Sequence, residues 1–359
     1  MSNSKKVSVL LSTYNRLELL KICLKKINTQ TYKNLEIIIV NDFSNDGTKE
    51  FLDNLTNEKI IIIHNKNNVV SKFGHMKIWQ MMLAESTGEL IINISDDDYW
   101  IYNEFIEECV LQFNKFHNLS KVIGNQVDYY YTNDFEEFDK EIINNKIISE
   151  DPEIHWHKNI MPNGLIHSKK YLNLYANRPL DINISTSGTM FNKKIFLESF
   201  TLQHQDVAKW QGGHELHIPS SFVGDIYFIN KPCVLIGLKK NSLSFGNTQI
   251  DHLNDTIKSI NNSFINLKKI KINKDLNVKD LIKIKKRMIF NAVKAYWFHS
   301  IEIFRNKQLS LCTERNIKKY VSLLLGIKIL FKNKIFYLPL RVIIFYLITF
   351  VKYRVINKF

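Results

Sequence analysis

Gly88-Glu89-Leu90-Ile91-Ile92-Asn93-Ile94-Ser95-Asp96-Asp97-Asp98 sets a short apolar run directly before three consecutive carboxylates. A run of this length, with a glycine at one end and acids at the other, reads as a buried strand closing in a polar turn. Carboxylates at a strand end can hold a divalent cation, Mg²⁺ or Mn²⁺, through hard oxygen ligands. The competing reading is a solvated loop in which Asp98 caps a helix starting near Tyr102. The surrounding sequence decides between them.

Upstream, strand and helix patterns alternate. Residues 6–12 form an apolar run, and Leu19, Leu20, Cys23, Leu24 and Ile27 recur at helical intervals between Arg16 and Asn28. Leu35–Val40 reads as a second strand and runs into the turn Asn41–Thr48, with Thr48 or Asp46 capping a helix to about Leu55. Ile60–Ile63 is a third strand, and a helix from about Gly74 to Glu85 leads into Leu90–Ile94. This alternation predicts an α/β fold, a mostly parallel sheet flanked by helices. Ligands bind such sheets beyond the carboxyl ends of the strands. The polar clusters Ser12–Arg16, Asn41–Asp46 and Ser95–Asp98 all fall there.

The chain has 359 residues, enough for a large domain with an appendage, and its six prolines and twelve glycines exclude a disordered or fibrous protein. Cys23, Cys109, Cys233 and Cys312 are too scattered for a zinc cluster or a disulfide framework. No signal-peptide core distinct from the first strand follows Met1, so a cytoplasmic location is expected. Charge divides the chain. Residues 251–359 carry 23 Lys and Arg against 6 Asp and Glu, whereas residues 1–250 carry 26 against 29. A near-neutral body (1–250) is therefore followed by a basic, helical C-terminal region (251–359). Within that region Val342–Val351 is too short to span a bilayer, which takes roughly twenty apolar residues. With Arg341, Lys352 and Arg354 beside it, an in-plane helix on an anionic membrane surface is expected; the alternative is packing on the body. Lysines interleaved with Ile, Leu and Phe do not form the dense patch of a nucleic-acid binder.

Three segments together resemble family 2 glycosyltransferases. Val7–Arg16 is similar to that family's opening strand and Tyr-Asn-Arg-type loop. Val40–Thr48, about twenty-five residues later, is similar to its acidic turn, and Gly88–Asp98 to its Gly-Glu-strand-Asp-x-Asp element. The resemblance implies a GT-A fold, a nucleotide-sugar donor (a UDP-sugar first), a divalent cation and a glycan or lipid-linked acceptor. It places Ser12, Tyr14 and Arg16 in the nucleotide loop, Asp42 against the base, Asp96 near ribose and metal, and Asp97 or Asp98 as the metal ligand. Asn41 stands where the family often has Asp. An Arg-Asn pair that approaches the pyrophosphate is replaced here by Ser71–Lys77, leaving Lys72, His75 or Lys77, of which Lys72 is preferred. The family's acidic base maps to Gly212–Leu216, with Glu215 the candidate general base, His214 its competitor and Asp206 a third option. Ser187 and Gly188 fall where the family shapes the sugar pocket, and Lys239, Lys240 and Ser242 where phosphate contacts follow. His155-Trp156-His157 reads as an acceptor-side or lid loop. Displacement in one step would invert the anomeric carbon.

Three other functions compete. A nucleotidyltransferase would want a glycine-rich phosphate loop, which Ser12–Arg16 lacks. A catalytically inactive nucleotide-sugar- or glycan-binding protein is argued against by the acids, and a nucleic-acid binder by the tail pattern.

Overall fold

The computed structural model describes residues 4–130, 155–156, 161–179, 185–199, 213–238, 249–265, 267 and 270–306. Its first half follows the alternation: β1 (Val7–Thr13), α1 (Leu17–Asn28), β2 (Leu35–Asn41), α2 (Thr48–Asp53), β3 (Ile60–His64), α3 (Val69–Phe73), α4 (His75–Glu85) and β4 (Leu90–Ser95). The expected helix at 74–85 is present, and a separate turn of helix, α3, precedes it across Gly74. Next come β5 (Asp98–Trp100), α5 (Phe105–Lys115), β6 (Leu119–Tyr130), β7 (His155–Trp156), β8 (Gly164–Ile166), α6 (Ser168–Asn177) and a 3-10 turn (Thr186–Gly188). The remaining elements are β9 (Thr189–Asn192), α7 (Lys193–Ser199), α8 (Gly213–His217), α9 (Ser220–Val223), β10 (Asp225–Leu238), α10 (Gln249–Ser263) and α11 (Val278–Asn306).

The sheet runs β3-β2-β1-β4-β9-β6-β10-β5. Its first four strands are mutually parallel, as the sequence predicts. Past β4 it becomes mixed, because β9 lies antiparallel between β4 and β6, and β5 antiparallel on β10. Alternation divides the core. Val7, Val9, Leu11, Ile37, Ile39, Leu90, Ile92 and Ile94 pack with α1 and α5 on one face. Leu10, Ile38, Val40 and Ile91 pack with α4 on the other. Strands buried on both faces read as continuous apolar runs, which is why β1, β2 and β4 are so visible in the sequence.

At the amino ends of these strands one carboxylate fixes the register. Glu36 accepts from Ser8 Oγ, Thr87 N, Thr87 Oγ1 and Gly88 N. Burial works against its charge, but hydrogen bonds from Lys6, Ser8 and Thr87 pull its pKa down to about 2. Gly88 must be glycine, since a Cβ there would sit 2.7 Å from Lys6 O.

A third cluster joins the second half of the chain. Leu281, Ile284, Met288, Ile289, Ala292 and Val293 of α11 pack with Tyr171, Leu172 and Tyr175 of α6 and with Leu253, Ile257 and Ile260 of α10. Lys279, Lys283, Arg287 and Lys294 lie on the exposed side of α11. This amphipathic pattern lets a basic helix bury its apolar stripe on the body. Among the described residues no helix is long and apolar enough to cross a membrane. The segment expected at the membrane, the last forty residues, lies outside the described residues, as do Asp206, Lys239, Lys240 and Ser242. Cys23, Cys109 and Cys233 are buried free thiols, as the scattered spacing predicts.

Candidate active site

β1 and β4 are neighbours in register, Ser12 opposite Ser95, so the residues just past them meet. Thr13 Oγ1 donates to Asp96 Oδ2 at 2.8 Å. Arg16, the residue before α1, sends Nη1 to Asp96 Oδ1 at 2.9 Å and to Asp97 Oδ2 at 2.7 Å. One guanidinium thus bridges two of the three acids. Asp96 is buried, and burial pushes its pKa up to about 6, with Asp97 adding to the rise and Arg16 and Thr13 opposing it.

Asp98 belongs to the protein's own hydrogen bonding. It lies in β5, buried, and accepts from Ser187 Oγ at 2.5 Å and Gly237 N at 3.1 Å. Burial, then the Asp97 charge, hold its carboxyl well above the usual range. Asp98 therefore caps no helix; α5 starts at Phe105 behind Glu104, which makes no side-chain cap. Asp97 is the more open acid, its side chain 16% exposed. Ser187 also accepts no role by chance, since its Oγ donates to Asp98 while its carbonyl holds Trp100 Nε1 at 2.8 Å.

Asp42 closes the neighbouring strand end. It is buried and accepts from Asn65 Nδ2 at 2.7 Å, Val69 N at 2.7 Å and Val70 N at 2.9 Å, the last two opening α3. A carboxylate has about four acceptor sites, so one remains for a ligand. The loops after β1 and β2 are stitched together: Asn15 N donates to Ser44 Oγ, Asn45 N to Asn15 Oδ1, and Leu17 N to Asp46 Oδ2. Asp46 also takes Thr48 N and Oγ1, with Gly47 at φ 90° as the formal cap residue of α2. Asn41 is held by His64, Nδ2 to Nδ1 at 3.1 Å, and receives Ser44 N on Oδ1. Ser12 is half-buried and Tyr14 is 46% exposed, at the mouth of this edge. Thr13, Asn15 and Ser44 sit inside the segments singled out by sequence, but only pairing of the strand ends reveals what they hold.

Among the three candidates for a phosphate contact, Lys72 is exposed on α3 and makes no ion pair with the acids. His75 feels both Asp42 and Arg16. Surrounding protein lowers its pKa, Asp42 opposes that shift and Arg16 adds to it, although solvent reaches the ring.

His214 and Glu215 occupy α8, and no hydrogen bond or ion pair among the described residues joins them to Asp96–Asp98. His214 is fully buried, bonded through Nδ1 to Tyr175 OH at 2.7 Å, and burial lowers its pKa to about 4. Glu215 accepts from Asn262 Nδ2 of α10 at 3.1 Å, and Ser263 Oγ donates to the His214 carbonyl. The far end of α8 is held by Lys121 of β6, whose buried Nζ reaches the His217 carbonyl and Ser221 Oγ. His155 and Trp156, expected in a loop, form a short strand against β6.

Among the described residues no group of three or more His, Cys, Asp or Glu forms a metal cage. The residues still fit Mg²⁺ or Mn²⁺. Mg²⁺ is commonly held by one or two carboxylates, with substrate phosphates and water completing its shell. Here Asp96 and Asp97 share one arginine, Asp98 lies directly behind them, and burial, with the Asp97 charge adding to it, raises the pKa of Asp96 and Asp98.

Known proteins resemble this chain in sequence and in fold. The chain is 29% identical over 129 residues to the Escherichia coli UDP-Glc:alpha-D-GlcNAc-diphosphoundecaprenol beta-1,3-glucosyltransferase WfaP, which covers 36% of this chain and 48% of WfaP. The match thus spans about half the length of that relative. In three dimensions the fold is similar to S. aureus TarS 1-349 in complex with UDP-GlcNAc, with a TM-score of 0.56 and 12% identity over 90% of this chain and 81% of that one. It is also similar to the mannosyltransferase PcManGT from Pyrobaculum calidifontis in complex with GDP-Man and Mn²⁺, with a TM-score of 0.51 and 14% identity over 94% and 88%. Both likenesses establish a GT-A-like fold. Glycosyl transferase family 2 matches residues 8–196, a stretch running from β1 into α7 and taking in every strand end described above. The chain belongs to that family.

Proposed function

We propose that this chain moves a hexose, with inversion, from a nucleoside-diphosphate sugar to a glycan or lipid-linked acceptor in bacterial surface-polysaccharide synthesis. A UDP-sugar is the donor to try first. The observation that carries this reading is Arg16 bridging Asp96 and Asp97 next to Thr13, with Asp42 at the adjoining strand end. Asp97 would hold Mg²⁺ or Mn²⁺, with Asp96 beside it and Asp98 supporting from behind. The cation would neutralise charge developing on the leaving diphosphate. Ser12, Tyr14, Arg16 and Asp42 are assigned to the nucleotide. Lys72, an exposed cation on α3, is assigned to the pyrophosphate, with His75 and Lys77 as the alternatives.

For the base, Glu215 is preferred over His214. A base must meet its acceptor near its own pKa, and His214 is enclosed with its pKa lowered to about 4. Glu215 would take the acceptor proton as the acceptor oxygen attacks the anomeric carbon. WfaP, by its name, acts on a diphosphoundecaprenol-linked sugar, which supports a lipid-linked acceptor here. The basic region from residue 251 would face an anionic membrane, placing the enzyme peripherally on the inner leaflet. Deleting residues after 335 should then release it from membranes; unchanged sedimentation with them would refute the anchor.

The test of the whole reading is a panel of UDP-, GDP-, dTDP- and CDP-sugars with Mg²⁺ and Mn²⁺. At least one should raise Tm and be turned over in a metal-dependent way. Silence across the panel would overturn it.

A further inference from the structure

Phe43 follows Asp42 with φ 70°, a left-handed backbone that bulky residues adopt only under constraint. The constraint comes from its neighbours. Ser44 N is held by Asn41 Oδ1, Ser44 Oγ by Asn15 N, and Asn45 N by Asn15 Oδ1. Glycine would take this position without strain. Burial does not offset the cost either, because Phe43 is 54% exposed. A strained, exposed aromatic on a rigid loop points to a contact outside the chain.

Two neighbours indicate its chemistry. Asp42 retains acceptor capacity beyond its three bonds, and Tyr14, 46% exposed, leaves the adjacent strand end. The two strands stay paired up to these rings, since Asp42 N donates to Thr13 O at 2.9 Å. An exposed aromatic ring one residue from a carboxylate suits a planar heterocycle with an N–H edge. A hydrocarbon chain would have to desolvate that carboxylate. We propose that Phe43 is a nucleobase-contact residue, its ring stacking on the donor's base while Asp42 accepts from the base edge. This rests on the reading of this edge as a nucleotide site.

The experiment uses the full chain, Phe43→Gly and Phe43→Tyr, with UDP, GDP, dTDP and CDP as probes in Mn²⁺. Phe43→Gly should raise the ligand-free Tm by about 2–4 °C as the strain is relieved. The same change should weaken the tightest-binding nucleotide about ten-fold, equally for the diphosphate and its sugar conjugate. Phe43→Tyr should restore affinity to within about two-fold while keeping the lower Tm. Opposite signs for stability and affinity are what a merely structural residue would not give. If the unaltered chain binds a nucleotide and Phe43→Gly binds it equally well, the inference fails and the site reading survives. Weakened binding together with a lowered Tm also overturns it. Lost binding to phosphatidylglycerol vesicles with unchanged nucleotide affinity would assign the ring to a membrane instead. If no nucleotide binds the unaltered chain, both readings fall.

Discussion

The carboxyl edge of β1, β2 and β4 and the helix α8 bury titratable groups in contrasting ways. At the edge, Asp96 and Asp98 are pushed up by burial and by Asp97, and Arg16 supplies the only ion pair to Asp96 and Asp97 among the described residues. On α8, His214 is pushed down to about 4 by burial, with a tyrosine hydroxyl bonded to its Nδ1. Burial opposes charge in both places. At the edge, three neighbouring carboxylates leave room for a bound cation to act on. The edge is organised to receive charge, and α8 to hold a side chain in place.

That contrast separates binding from chemistry, and the largest effect should fall on chemistry. Glu215→Gln is expected to lower kcat by about 10³-fold while leaving nucleotide-induced thermal stabilisation unchanged. Loss of donor binding in that variant would move Glu215 out of the base role. Asp97→Asn should cost about 10²–10³-fold in metal-dependent turnover, and should also abolish the extra stabilisation that Mn²⁺ gives with nucleotide. Its ligand-free Tm should hold or rise, because removing one charge relieves Asp96 and Asp98. Full metal response in Asp97→Asn would pass the ligand role to a neighbour.

The same contrast explains what the sequence makes legible. Val7–Thr13, Leu35–Asn41 and Leu90–Ser95 announce themselves because strands buried on both faces leave uninterrupted apolar runs, and their polar ends follow at once. Asp96 and Arg16 can therefore be placed at one edge, 80 residues apart in sequence. The hydrogen bond from Ser187 to Asp98 cannot, since it depends on β9 inserting antiparallel beside β4, and although Thr189-Met190-Phe191 reads as strand-like, four residues carry no sign of their partner. The strand β5 is hidden for a related reason, being three residues directly behind the acids. Nor does α8 show itself, as five residues are too few for a helical period and its hold comes from Asn262 and Lys121, far away in the chain.

A smaller effect follows from the opposed pKa shifts. Asp96 moves from 3.8 to about 6, so the native state keeps a proton that the unfolded chain releases, and its contribution to stability falls as pH rises through that window. His214 moves from 6.5 to about 4, so the unfolded chain binds more protons, and stability rises across nearly the same window. Asp98 adds to the first slope and His75 to the second. Near-cancellation is expected in the unaltered chain. His214→Gln should expose the falling slope, with Tm dropping by about 3–6 °C between pH 5 and 7, and Asp96→Asn should expose the rising one. Parallel Tm profiles for both variants would show that the two regions are not charged as described.

The smallest effect tests whether α10 positions Glu215 or merely covers it. Asn262 Nδ2 donates to Glu215 Oε1 at 3.1 Å. In Asn262→Asp that donor becomes a second carboxylate, which repels the carboxylate of Glu215. Activity should then fall about five-fold near pH 6 and recover most of the loss by pH 8, with the acidic limb of the kcat profile moved upward. Asn262→Leu, which removes the donor without adding charge, should move the same limb by a smaller step. A uniform loss at every pH would reduce Asn262 to a packing residue, and the described helices of the basic region would then contribute nothing to catalysis beyond their core.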